Sequence, residues 1–109
     1  MSEEKVNVTR GSGNVYADLG LPDAEEHARK AELVQQIEAI LRRRKLTQVQ
    51  AAKVLGISQP DVSRLMRGNF REYSLERLLR LLMALGRDIE IVIKRHRSQR
   101  PSRLDIRAA

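Results

Sequence analysis

The polar side chains best suited to molecular recognition in this chain lie close together between residues 58 and 67. If this segment is helical, Gln59, Ser63, Arg64 and Arg67 lie on faces other than the one that carries Val62. Amide, hydroxyl and guanidinium groups supply the hydrogen bonds with which proteins contact base edges and phosphates in DNA. This polar face is therefore the candidate binding surface.

Catalytic and metal-binding chemistry is not expected. The chain has no cysteine, and its two histidines, His27 and His96, lie far apart without a nearby cluster of further ligands. The glycine-rich phosphate-binding motifs and the Ser/His/Asp pattern of hydrolases are also missing. The glutamates between residues 25 and 38 are spaced as a solvated helix face. We therefore expect no enzyme, no metal and no cofactor.

The charge of the chain is divided unevenly along its 109 residues. Residues 1–41 contain four basic and eight acidic side chains, net −4, whereas residues 42–109 contain 17 basic and six acidic ones, net +11. A basic half fits a polyanionic partner, although a solubility surface would look the same. Aromatic residues make up 3% of the chain, which argues against a stacking platform for single-stranded nucleic acid.

Two short helices joined by a tight turn would position the polar face. Thr47 is suited to begin the first helix, because Gln50 three residues later completes a capping box. Gly56 is expected in the left-handed conformation that closes this helix, and Ser58 is suited to cap the second. Such a pair predicts a helix-turn-helix, whose second helix enters the major groove. The two helices are predicted over residues 47–55 and 59–67.

Two further helices are predicted to build the core. The first covers residues 23–44, where Leu33, Ile37 and Leu41 belong to one apolar stripe, and it ends in a run of four cations, residues 42–45. We expect these cations to cap the C-terminal end of the helix and to face solvent rather than to contact phosphates. The second helix covers residues 74–85. The fold class predicted is all-α, with four to five helices and a short C-terminal strand.

The C-terminal strand and the leucine-rich last helix predict a dimer contact. Isoleucine alternates along residues 88–94, which favours a strand, and a lone strand needs a partner. Residues 6–8 and the same strand of a second subunit are the two candidates. The last helix also carries more leucines than one buried stripe needs, which suggests a partner surface. The residues assigned to the dimer contact are Leu78, Leu81, Leu82, Leu85, Ile89, Ile91 and Ile93.

The block from Thr47 to Gly68 resembles the XRE family of lambda-repressor-like DNA-binding domains, and the resemblance extends over residues 31–85. The wider layout also resembles a subgroup that includes HigA-type antitoxins. That second resemblance depends on GNVYADLG at residues 13–20, SQPDVSRL at 58–65 and LGRDIEI at 85–91.

The resemblance implies a role for each residue of the polar face. Gln48 corresponds to a phosphate contact, Gln59 to an amide that pairs with adenine, and Arg64 to an arginine that grips guanine. Pro60 departs from the usual polar residue and removes one base contact. Asp61 either accepts from cytosine N4 or is only a helix-start charge, and Gln48 and Ser58 also fit simple capping. The DNA-binding residues predicted are Gln48, Ser58, Gln59, Asp61, Ser63, Arg64, Arg67, Asn69 and Arg71.

The resulting hypothesis is a homodimeric repressor that reads a palindromic operator in double-stranded DNA and regulates its own transcription. The alternative is an antitoxin that neutralises a small basic toxin through the acidic N-terminal region, with or without repression. We divide the chain into a flexible acidic arm (residues 1–22), a DNA-binding domain (23–94) and a basic disordered tail (95–109). No apolar run approaches the roughly 18 residues that a membrane span needs, and we expect a cytoplasmic protein.

Overall fold

The computed structural model describes residues 3–5, 23–95, 99 and 103–108. Within these residues it contains four helices and two short strands, which confirms the predicted all-α class with a helix-turn-helix and a C-terminal strand. In chain order the elements are β1 (Glu3–Lys5), α1 (Asp23–Arg43), α2 (Gln48–Leu55), α3 (Gln59–Met66), α4 (Leu75–Ala84) and β2 (Val92–Lys94).

The core lies between α1 and α4, which pack against each other, and α2 and α3 close it from the side. The stripe predicted on α1 is buried as expected: Ile37 is fully enclosed, and Leu33 and Leu41 retain only a few percent of their exposure. Each such side chain contributes roughly 1.5–3 kcal/mol when it is removed from water. The long α1 therefore serves as the support on which the two shorter helices are held.

The four leucines of the last helix correct our interpretation of the dimer contact. Leu78, Leu81, Leu82 and Leu85 are all buried in the chain's own core. The leucines are not in excess of what the core needs, because α4 packs against both α1 and α2. These side chains are therefore not exposed to a second subunit.

The C-terminal strand is shorter than predicted and has a different partner. It covers three residues, Val92–Lys94, where we expected residues 88–94, and it pairs antiparallel with Glu3–Lys5 of the same chain. In this register Glu3 lies opposite Lys94, Glu4 opposite Ile93 and Lys5 opposite Val92. Ile89 lies outside the strand and packs, partly buried, against the helical core.

Several predictions for the termini fall largely outside the described residues. The strand proposed at residues 6–8 and the motif at residues 13–20 both lie there, as does His96. Near the C-terminus, residues 103–108 have no regular secondary structure, yet Leu104 and Ile106 pack, partly buried, against the core. The division into arm, domain and tail stays a prediction.

No helix among the described residues combines the length and the apolar character that a membrane crossing requires.

Candidate nucleic-acid interface

The turn between α2 and α3 has the geometry that its sequence predicts. Gly56 adopts the left-handed conformation (φ 72°, ψ 28°), and its N–H donates to the carbonyl of Ala52 at 2.9 Å. Ser58 then begins α3, with its hydroxyl accepting from the N–H of Asp61 at 3.2 Å. Ala51 on α2 is buried, and the two helices pack against each other. The relative orientation of α2 and α3 is thus defined by local contacts.

The start of α2 is closed by the predicted capping box. The N–H of Gln50 donates to the Thr47 hydroxyl at 3.1 Å, and the N–H of Thr47 donates to the Gln50 side-chain oxygen at 2.9 Å. Gln48, the first residue of the helix, is exposed and is not part of this box. Its side chain is therefore left available at the positive end of the α2 dipole, where a phosphate is favoured.

Helix α3 presents its polar side to solvent. Val62 and Leu65 are buried against the rest of the protein, so helical geometry directs Gln59, Ser63 and Arg64 away from the core. All of the predicted contact residues lie on α3, at its two ends or at the start of α2. Those that are exposed are Gln48, Ser58, Gln59, Arg64, Arg67, Asn69 and Arg71, and those that are half-buried are Asp61 and Ser63.

Asp61 and Arg64 form an ion pair on this face. The guanidinium Nη2 of Arg64 lies 2.5 Å from the Asp61 carboxylate, one helical turn away. This hydrogen bond and one from Ser58 hold the pKa of Asp61 below its ordinary value of 3.8, and the positive charge of Arg77 acts in the same direction. The carboxylate is therefore ionised at neutral pH, and the arginine has a charged partner within its own helix.

The loop that follows α3 is held in place by α1. The ammonium of Lys30 donates to the carbonyl of Arg71 at 3.0 Å and pairs with Glu26 at 3.0 Å. The ring of His27 stacks on Phe70, with centroids 4.8 Å apart. These contacts fix the backbone that carries the exposed Arg71 side chain beside the C-terminal end of α3.

Arg77 is a neighbour of the polar face that the sequence analysis did not assign to it. Its guanidinium lies over the ring of Tyr73 at 4.3 Å, a cation–π geometry. Burial raises the pKa of the Tyr73 phenol above its ordinary value of 10.0, and the charge of Arg77 opposes that change. The spacing of four residues between the aromatic ring and the arginine was the signal available in the sequence.

Two cations of the run at the end of α1 have partners within the chain. Arg44 donates to the carbonyl of Leu85 at 2.6 Å and so satisfies the C-terminal end of α4. Arg42 pairs with Glu38 of its own helix at 3.1 Å. The described residues contain no group of three or more acidic or histidine side chains placed to hold a metal ion.

Comparisons with known proteins agree on the family. Residues 15–94 match a family model described as a helix-turn-helix domain. A solved structure named as an XRE family transcriptional regulator is 44% identical, has a TM-score of 0.77, and matches over 81% of this chain and 100% of that chain. Comparison with curated proteins finds no match.

Proposed function

We propose that this chain, which belongs to the helix-turn-helix family and is a DNA-binding regulator, binds a near-palindromic operator as a homodimer. Binding represses transcription from that operator, including transcription of the protein's own gene. Helix α3 enters the major groove, and α2 lies across the sugar-phosphate backbone. An antitoxin role is a second, separate proposal that is given below.

The observation that carries this proposal is the polar face of α3. The helix is short and fixed at both ends, by the Ser58 cap and by the Lys30-held loop, so its outward side chains start from a defined position. Gln59 and Arg64 supply the amide and the guanidinium that make bidentate contacts with adenine and guanine. Gln48 and Arg71 flank the helix and are placed to contact phosphates on either side.

A homodimer is supported by apolar side chains that stay exposed on β2 and on α4. Ile93 is 52% exposed on β2, which is an edge strand, and Met83 is 57% exposed at the end of α4. Edge strands readily pair with a second chain. Of the residues assigned to the dimer contact from sequence, Ile89, Ile91 and Ile93 remain in the proposal. To read a palindrome, such a dimer has to present its two α3 helices to half-sites about one turn of DNA apart, roughly 34 Å.

Selection from a randomised duplex library tests the DNA-binding proposal. The wild-type protein should recover a consensus with two related half-sites, and anisotropy titration should show binding that weakens steeply with salt. Gln59→Ala/Arg64→Ala should lose the preference for the consensus over a scrambled duplex. Gln35→Ala/Arg87→Ala removes the same two side-chain types from exposed positions elsewhere and should retain it. Equal binding to both duplexes by the wild-type protein would refute sequence-specific recognition.

Sedimentation tests the dimer. Ile93→Asp should shift the protein from dimer to monomer at micromolar concentration, because a carboxylate would have to be buried in the contact. Val54→Asp is the matched control: it introduces the same carboxylate at an exposed apolar residue of α2 and should leave the dimer intact. A stable dimer in the Ile93→Asp variant would contradict this assignment.

The antitoxin role is the second candidate, and the observation that favours it is the charge of the N-terminal region. Residues 1–26 carry six acidic and two basic side chains, which complements a small basic protein. Co-expression with the product of an adjacent reading frame tests it: the pair should co-purify, and deletion of residues 1–26 should release the partner. Retention of the partner after this deletion would remove the N-terminal region from the proposal.

A further inference from the structure

We propose that Asp61 determines the DNA selectivity of this protein. Its carboxylate stays paired with Arg64 unless a base pair supplies hydrogen-bonding partners for both side chains. The inference rests on the proposed function, because it assigns a role within the same DNA-reading face. It goes further because it names a residue that disfavours binding to other DNA sequences. It also names the base pair that can bond to both side chains.

The ion pair between Arg64 and Asp61 competes with the hydrogen bonds that either side chain could make to DNA. The Arg64 guanidinium bonds the Asp61 carboxylate at 2.5 Å, and both side chains remain partly exposed, 54% for the arginine and 35% for the aspartate. The N–H of Asp61 donates to the Ser58 hydroxyl, which fixes this residue in the first turn of α3. The carboxylate is therefore carried by the recognition helix itself, on the side that approaches the bases.

A DNA phosphate can accept a hydrogen bond from Arg64 but has no donor for the Asp61 carboxylate. When Arg64 turns to a phosphate oxygen, it leaves the Asp61 carboxylate without its partner and close to a second negative group, so a sequence-independent encounter is disfavoured. A base pair that contains guanine and cytosine satisfies both: guanine O6 and N7 accept from the arginine, and the cytosine N4 amino group donates to the carboxylate. We therefore expect Asp61 and Arg64 to contact a G·C pair, or a guanine next to a cytosine, that lies within reach of the start of α3.

The structure offers a closely matched ion pair for comparison. Glu32 and Arg29 on α1 have the same spacing of three residues, lie 2.8 Å apart, and Glu32 is 35% exposed, as Asp61 is. Glu32→Gln therefore removes one negative charge and one intrahelical pair at a site away from the polar face. Any effect that depends only on net charge or helix stability will appear in both variants.

The experiment measures the ratio of dissociation constants for a scrambled duplex and for the duplex selected by the wild-type protein, at two salt concentrations. Asp61→Asn should bind the scrambled duplex more tightly and reduce this ratio about tenfold, the discrimination that one good base contact provides. Libraries selected with the variant should lose the preference at one base pair in each half-site. Glu32→Gln should leave the ratio within about twofold of wild type, because this pair lies on α1 and outside the polar face.

The outcomes separate the inference from the function on which it rests. An unchanged ratio in Asp61→Asn, or an equal reduction in Glu32→Gln, overturns the role of Asp61 while sequence-specific binding stands. A wild-type protein that selects no consensus refutes the proposed function itself. Asp61→Ala, which removes the carboxylate and the amide alike, should reproduce the loss of selectivity, and its circular dichroism shows whether α3 is intact.

Discussion

Replacing Lys30 with methionine tests how the loop after α3 is held. The Lys30 side chain is 9% exposed, and its ammonium bonds the Arg71 carbonyl and the Glu26 carboxylate, both at 3.0 Å. A hydrogen bond to a charged donor contributes about 1.5–3 kcal/mol, and its loss leaves a partly buried carbonyl without a partner. Methionine keeps most of the apolar packing of the lysine stem. We expect Lys30→Met to lower the free energy of unfolding by about 2 kcal/mol, mainly from the lost hydrogen bond to the loop.

Urea titration and a thermal melt followed by circular dichroism measure this loss. For a domain of 60–100 residues, about 2 kcal/mol corresponds to a decrease in Tm of roughly 10 °C. Arg42→Met is the matched control, because it also removes a cation from an ion pair on α1, but its side chain is 76% exposed. We expect that variant to stay within about 0.5 kcal/mol of wild type.

A double-mutant cycle separates the two partners of Lys30. Adding Glu26→Gln to Lys30→Met removes the carboxylate that the first change leaves unpaired, and this should recover a measurable part of the lost stability. The loss that remains reports the bond to the Arg71 carbonyl. A Lys30→Met variant within about 0.5 kcal/mol of wild type would refute the conclusion that this ammonium anchors the loop.

Three further predictions follow from local structure. Gly56→Ala should lower the unfolding free energy by about 1 kcal/mol in urea titration, because the left-handed φ of 72° disfavours a side chain even though nothing lies within 4 Å of the added Cβ; equal stability would contradict this. Ser74→Ala should cost about 1 kcal/mol, since its hydroxyl accepts from the N–H of Arg77 at 3.0 Å at the start of α4; Ser74→Asp should retain the cap. The pKa of Asp61 is lower in the folded protein than its ordinary 3.8, so its stabilising contribution is present above that value and is lost as the pH falls through the folded pKa. Unfolding below pH 4 should therefore depend less on pH in Asp61→Asn than in wild type, and parallel acid limbs would contradict this.

Local signals in the sequence were sufficient to predict the helix-turn-helix. The Thr47–Gln50 capping box, the left-handed Gly56 and the Ser58 cap all occur as expected, because each depends on contacts within four residues. The observed helices differ from the predicted ones by one residue at their ends, where the capping residues lie just outside the helix. For the same reason, the exposed polar face of α3 could be identified from helical spacing alone.

Contacts between distant residues could not be predicted in this way. Nothing in the sequence pairs Lys30 with the carbonyl of Arg71, since any of the 21 cations could reach a backbone oxygen. The partner of β2 was also missed, because Glu3–Lys5 lacks the apolar alternation by which strands are recognised. Its pairing depends on backbone groups, which every residue except proline supplies.

The burial of the α4 leucines shows why an excess of apolar residues on a helix has two physical meanings. A helix at the edge of a domain needs one apolar stripe, so additional leucines predict a partner, whereas a helix in the middle needs apolar side chains on several sides. The sequence of α4 is the same in both cases. Only the positions of α1 and α2 decide between them, and in this protein they cover Leu78, Leu81 and Leu82 from within the chain. Among the exposed apolar side chains, Met83 and Ile93 lie outside this leucine cluster, and the proposed dimer contact is therefore assigned to them and not to the leucines.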